Sequence, residues 1–188
     1  MKNKRLLYIL IVLALLAVSA VVYFTVDAIL DRTGAQNDDA KPTQMRFNIL
    51  DEPIKSVDIT FTDMEGNRFN LKEFEGRNVI INFWAVFCGP CVTELPDFDK
   101  AVAEFEAMDT VLLAINVVEP KDEVQDFIDN IKLSNLGFYM DVEGNAAYTY
   151  SVSTIPRTLV IDKEGYIIAA ATGSVTYEDL MALAEILD

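Results

Sequence analysis

The chain has 188 residues, 52% of them hydrophobic, with two cysteines, no histidine and a net charge of −15. Without histidine there is no His-based triad, no His-ligated metal and no imidazole acid–base chemistry, and two cysteines cannot complete a four-cysteine zinc site within one chain. Lys2, Lys4 and Arg5 precede the first acid, Asp27, so the remainder carries 12 basic against 30 acidic side chains, a balance of −18 that favours solubility and repels nucleic acid and anionic lipid.

Residues 1–5 read as a basic cytoplasmic end. Residues 6–26 are Leu, Ile, Val, Ala, Tyr and Phe, broken only by Ser19 and Thr25. At about 1.5 Å per residue such a helix spans the ~30 Å hydrocarbon core. The leading cations stay inside, so the rest of the chain is expected outside the cell membrane as a single-pass, extracytoplasmic domain. The rival is a cleaved signal peptide, for which Val18-Ser19-Ala20 supplies small residues, but the apolar run continues through Val21-Val22-Tyr23-Phe24. No cysteine lies near enough for a lipoprotein anchor. Residues 27–45, polar and bearing Gly34, Asn37, Asp38, Asp39 and Pro42, read as a flexible tether. Residues 46–188 are then the folded domain.

Within that domain, Val57, Ile59 and Phe61 alternate with polar neighbours from Ser56 to Thr62, which predicts a half-buried strand. Glu65-Gly66-Asn67 is a turn signal, and Arg68 to Leu71 the returning strand of a hairpin. Val79 to Phe87 is an apolar run expected as a buried strand, and Cys88-Gly89-Pro90-Cys91 follows it directly. Glu94, Leu95, Phe98, Val102 and Phe105 then recur at helical spacing. Pro90 suits the first turn of that helix, and Pro96 interrupts its interior. Val111 to Val118 predicts a central strand, and Pro120 opens a helix carrying Val124, Phe127, Ile128 and Ile131. Phe138-Tyr139-Met140 reads as a short strand and Gly144 to Tyr150 as a short helix. Thr158–Ile161 and Tyr166–Thr172 flank Asp162-Lys163-Glu164-Gly165 as a hairpin. A last helix starts with a Thr176/Asp179 capping box and buries Leu180, Leu183, Ala184 and Leu187. Strand–helix–strand crossovers imply a parallel core, and the late hairpin adds antiparallel strands, giving an α/β mixed sheet flanked by helices.

The two cysteines thus sit at a strand-to-helix junction. A thiol there faces the unpaired N–H groups and partial positive charge of a helix N-terminus, which favours the reactive thiolate. Cys88, at the mouth, is the expected attacking thiolate, and Cys91, one turn deeper, the expected resolving thiol. A structural disulfide or a metal half-site in a dimer are the other readings of the pair; the junction favours redox chemistry. Val92, not histidine, follows Cys91, which excludes covalent haem attachment.

Trp84-Ala85-x-x-Cys88-Gly89-Pro90-Cys91 resembles the active-site signature of the thioredoxin superfamily. Continued through Val92-Thr93-Glu94-Leu95-Pro96, it resembles the TlpA/ResA-type membrane-anchored thiol–disulfide oxidoreductases, which carry an acid three places after the second cysteine. Thr154-Ile155-Pro156-Arg157-Thr158-Leu159-Val160-Ile161-Asp162 resembles the segment whose proline is cis and lies beside the cysteines in that superfamily. The resemblance covers residues 46 to the end. It implies a thioredoxin-like mixed sheet with an N-terminal β-hairpin and an inserted strand and helix within Val117–Asp141, preceded by one transmembrane helix. It implies dithiol exchange with no cofactor and no metal. It implies protein thiol or disulfide substrates outside the cytoplasm (apocytochrome c or other envelope proteins), a membrane protein as electron donor, and no nucleic acid.

The spacer Gly89-Pro90 suggests a reducing couple; a disulfide-forming oxidase is the second enzymatic reading, and a tethered binding module with a structural bridge the non-enzymatic one. A peroxidase lacks support, because no separated peroxidatic cysteine exists. Glu94 is expected to exchange protons with a cysteine and raise thiol pKa values by its charge; an ordinary solvated helix glutamate is the alternative. Asn82 stands where thioredoxin has a buried aspartate, leaving Glu94 as the internal acid. Trp84, Phe87, Gly89, Pro90, Thr154, Ile155 and Pro156 are expected to bind substrate, with packing beside the motif as the other reading of Trp84 and Phe87. Phe87 replaces the tryptophan common before the first cysteine. The Ile155 backbone is expected to pair with an extended strand. Met140, Tyr148 and Tyr150 read as core or rim.

Overall fold

A computed structural model of the chain describes Leu13, residues 16–23 and residues 46–187. Residues 16–23 are helical and exposed. Among the described residues no helix is long and apolar enough to cross a membrane. The anchor expected at 6–26 and the tether expected at 27–45 otherwise lie outside the described residues.

Met45–Asp188 forms a compact unit of its own. It contains β1 (Asn48–Lys55), β2 (Thr60–Asp63), β3 (Arg68–Asn70), β4 (Asn78–Trp84), α1 (Gly89–Ala107), β5 (Thr110–Val117), α2 (Lys121–Ile131), β6 (Gly137–Asp141), α3 (Asn145–Thr149), β7 (Arg157–Ile161), β8 (Tyr166–Thr172) and α4 (Tyr177–Leu187). The strands form one sheet in the order β1-β8-β7-β4-β5-β6-β2-β3. β4, β5 and β6 run parallel, and β7, antiparallel to β4, pairs with β8 as the expected hairpin. β2 and β3 form the N-terminal hairpin, and β2 closes on β6. α2 and β6 lie between β5 and α3, within the Val117–Asp141 stretch where a strand and helix were expected.

Every residue of β4 is buried, which requires cover on both faces of the sheet. Successive side chains alternate faces. Asn82 and Trp84 therefore share the face under α1, while Phe83 lies on the other against Tyr150. The buried side of α1 is Cys91, Glu94, Leu95, Phe98, Ala101, Val102 and Phe105, the expected stripe with its acid included. Pro96 sits inside this helix, where it has no N–H to donate. The capping box of α4 is present: Thr176 N–H donates to Asp179 Oδ2, and Asp179 N–H to Thr176 Oγ1.

Three differences from the sequence reading have physical causes. β1 was not expected, because its residues show no alternation of apolar and polar side chains and Pro53 interrupts them. It is an outer strand, exposed along most of its length, held by pairing with β8 alone. The strand expected over Ser56–Thr62 begins only at Thr60. Residues 56–59 carry the chain between strands at opposite ends of the sheet, and their backbone groups bond to scattered partners: Ser56 N–H to Gly165, Ile59 C=O to Leu71 and Val57 C=O to Tyr150. Finally, the apolar run ending at Phe87 is strand only to Trp84, because the chain turns there to enter α1.

Candidate functional site

β4 delivers the chain to the middle of the sheet's end, and residues 85–88 turn it into α1. Cys88 is the N-cap, in extended conformation, and its Sγ accepts the Cys91 N–H at 3.3 Å. Pro90 occupies the first turn, where a missing N–H costs no helical bond. Cys88 and Cys91 form a disulfide, their Cα atoms 5.2 Å apart. Cys88 retains 9% of its surface and Cys91 none. Gly89 and Pro90 are exposed beside them.

Glu94, one turn beyond Cys91, is 2% exposed. It is not the solvated helix residue of the alternative reading. Its Oε1 accepts from Asn82 Nδ2 and its Oε2 from the Val175 N–H, each at 2.8 Å. Burial pushes its carboxyl up from the usual 4.5 to about 7, with the two hydrogen bonds acting downward and the nearby Asp97 upward. Asn82 Nδ2 also reaches Thr158 Oγ1 at 3.2 Å, and Asn82 Oδ1 is a buried acceptor without a partner. So the residue at the aspartate position holds the glutamate and ties it to β7.

The proline segment comes to the same end of the molecule. The Ile155–Pro156 bond is cis. Pro156 is buried, Ile155 half-buried and Thr154 exposed. Pro156 C=O accepts from Gly173 N–H at 2.9 Å, and Ser174 Oγ donates to Pro90 C=O at 3.0 Å. The loop between β8 and α4 therefore links the proline segment to the first turn of α1.

Two aromatic residues expected to touch substrate separate. Phe87 is 76% exposed and stands beside Cys88. Trp84 has no exposed surface; its ring lies 5.5 Å from those of Phe127 and Phe138. Of the two readings of Trp84, packing beside the motif holds and the substrate contact is corrected, a consequence of the strand continuing through it. Met140 is core, Tyr148 is exposed, and Tyr150 bonds Val57 C=O at 2.6 Å. Burial pushes the Tyr150 hydroxyl up to about 12.

One site residue went unnoticed in the sequence. Glu119 is 8% exposed. Its Oε2 accepts from Val86 N–H at 2.7 Å and Asn116 Nδ2 at 2.6 Å, and its Oε1 from Phe87 N–H at 3.3 Å. It secures the turn that presents Cys88. An acid directly after a central strand reads as a loop residue, and the only hint was the pair of backbone N–H groups that a turn before α1 must leave without helical partners. Among the described residues no cluster of three or more Asp, Glu or Cys side chains is arranged to hold a metal ion.

The AhpC/TSA family matches over residues 53–170. The chain is similar to the thiol-disulfide oxidoreductase ResA of Halalkalibacterium halodurans, 31% identical over 71% of this chain and 75% of that one. It is similar to the ResA of Bacillus cereus at 29% identity over 96% of this chain and 95% of that one. Among solved structures it resembles a secreted thiol-disulfide isomerase from Corynebacterium glutamicum, with a TM-score of 0.68, 28% identity, and coverage of 78% of this chain and 94% of that one. With a cysteine pair bridged at a helix mouth and kinship of this extent, the chain belongs to the AhpC/TSA family of the thioredoxin superfamily and is a thiol–disulfide oxidoreductase of the ResA type.

Proposed function

We propose that this protein is an extracytoplasmic reductant of disulfides in exported proteins, held at the cell membrane by residues 6–26 as an anchor, with residues 27–45 as tether and 46–188 as the catalytic domain. The observation that carries the reading is the asymmetry of the pair: Cys88 is the N-cap with the Cys91 N–H aimed at its sulfur, while Cys91 is wholly buried. Only Cys88 offers a sulfur that a protein disulfide can approach.

In the reduced enzyme the Cys88 thiolate attacks one sulfur of the substrate disulfide. A mixed disulfide forms, and the other substrate sulfur leaves as a thiolate and takes a proton. Cys91 then loses its proton and attacks Cys88 Sγ, releasing the second substrate thiolate. Two electrons pass to the substrate, and the enzyme is left with the Cys88–Cys91 bridge. A dithiol protein in the membrane, by family likeness, returns two electrons for the next cycle. Glu94 is suited to take the Cys91 proton, because a carboxyl poised at about 7 gains and loses protons near neutral pH. Phe87, Gly89, Pro90 and the Thr154-Ile155-Pro156 segment would bear on the substrate chain, the Ile155 backbone by strand pairing. Apocytochrome c and other envelope proteins are the substrates that family likeness implies.

The test is a trap. Cys91→Ser should accumulate mixed disulfides with exported proteins, identified by mass, whereas Cys88→Ser should accumulate none; equal trapping by both refutes the assigned roles. The reduction potential separates reductant from oxidase: a value near roughly −270 mV supports this reading, and one near about −120 mV replaces it with disulfide formation.

A further inference from the structure

β5 ends at Val117, and the next residue, Val118, holds φ at +54°. A β-branched residue enters that left-handed region only against steric resistance, whereas glycine would turn there freely. Among the described residues the other left-handed ones that are not glycine, Asp109, Lys132 and Ser151, are polar and follow helix ends, where such a conformation is ordinary. Burial does not offset the strain, because Val118 is 61% exposed. Its side chain instead forms a wall of an open groove of about 400 Å3, lined also by Tyr148, Val152, Thr154 and Ile155. Gly144 leaves the room for it: a Cβ there would lie 3.1 Å from Val118 Cγ1. A strained residue that persists on a surface points to function.

Both walls of the groove lead along the chain to segments that hold the reacting pair, and Thr154 and Ile155 line it directly. On one side Ile155 leads into Pro156, and the Gly173-Ser174 link runs from Pro156 to Pro90. On the other, Val118 leads into Glu119, which holds the Val86 and Phe87 N–H groups just before Cys88. Because Thr154 and Ile155, which bear on substrate in the reading above, line the groove, its occupant is the stretch of substrate chain that flanks the attacked cysteine.

We propose that Val118 is a specificity-determining residue, whose side chain gives this groove an apolar wall for an aliphatic side chain beside the cysteine of an extended substrate segment. The proposal rests on the exchange reaction above. Its cost in backbone strain is retained because a glycine in its place would leave the groove without that wall.

Two disulfide peptides of equal length test it, one with leucine and one with glutamate beside the cysteine. Oxidised glutathione, which has no chain to fill the groove, serves as control. Pre-reduced full-length protein in detergent is mixed with each, and the half-saturating concentration and limiting rate are read. Val118→Gly should raise the half-saturating concentration for the leucine peptide about 10-fold, with the limiting rate, the glutamate peptide and glutathione unaffected. Val118→Asn, which tolerates the same backbone, should do the same. If the wild type oxidises with none of the three, the exchange reading fails and takes this proposal with it. If it reacts with all three but both variants keep the preference for leucine, the groove assignment alone falls. Loss of glutathione reactivity in both variants would make Val118 a structural residue and overturn the proposal.

Discussion

Glu94→Gln isolates the energetic cost of a carboxyl buried between the motif helix and the start of α4. In the folded protein burial raises this group from 4.5 to about 7. Between those values the folded chain binds more protons here than the unfolded chain does. Stability contributed by Glu94 therefore falls as pH rises through that window and is level above it. A difference of about 2.5 pH units corresponds to roughly 3 kcal/mol. Glutamine keeps the shape and cannot ionise, so it resembles the protonated acid. The assay is urea unfolding of the oxidised proteins at pH 4 and pH 8, with the Cys88–Cys91 bridge intact so that neither thiol titrates. Relative to wild type, the variant should gain about 3 kcal/mol on going from pH 4 to pH 8. Other titrating groups cancel in the comparison. Parallel pH dependences for the two proteins would refute the reasoning, since they would mean that Glu94 ionises as freely in the fold as in the unfolded chain.

The same substitution should lower the pKa of at least one thiol in the reduced protein by about one unit, or ~1.4 kcal/mol, because a negative neighbour no longer opposes the thiolate; the pH profile of alkylation rate measures it, and overlaying profiles would count against the proton role. Glu119→Ala leaves the Asn116 amide and the Val86 and Phe87 N–H groups without their acceptor, so unfolding free energy should fall by about 2–4 kcal/mol; a loss under about 0.5 kcal/mol would show that the turn before Cys88 holds itself. Trp84→Phe should cost stability through lost packing, about 1–3 kcal/mol, yet leave the half-saturating concentration for substrate unchanged; a several-fold rise in that concentration with the fold intact would restore Trp84 as a contact.

The cysteine pair and its helix were legible because each carries its own local signal, and the proline segment because it resembles a segment of the thioredoxin superfamily. An apolar run before Cys88, helical spacing from Glu94 to Phe105 and the Thr154–Asp162 pattern all sit within short windows. The parallel core was legible for the same reason: β4 and β5 are buried on both faces, and such strands are mostly apolar, interrupted here by Asn82 and Asn116. What escaped depends on partners distant in the chain. β1 is a strand because β8 offers its edge, and no side-chain pattern reports that. Glu119 is buried because turn N–H groups some thirty residues earlier point at it. Trp84 and Phe87 were grouped together because the apolar run reaches Phe87; the fate of the two aromatics is decided by where the chain turns, three residues before the second of them. The left-handed backbone of Val118 gave no warning at all, since valine is the residue least expected there.

The sheet order has a mechanical consequence. β1 directly follows the N-terminal segment, and its single neighbour is β8. A pull on the N-terminal end loads the Arg46 N–H to Asp179 bond and buried Phe47 first, then the Asn48–Ala170 end of the β1–β8 pairing, whose register breaks between Ile49 and Ile54 before it resumes toward Lys55 and Tyr166. β4, which carries the cysteine motif, is flanked by β7 and β5 and shares no hydrogen bond with β1. The outer strand can therefore yield and re-form as a fuse between the N-terminal end and the reacting centre. Amide hydrogen exchange should register this as fast exchange in β1 beside strong protection in β4.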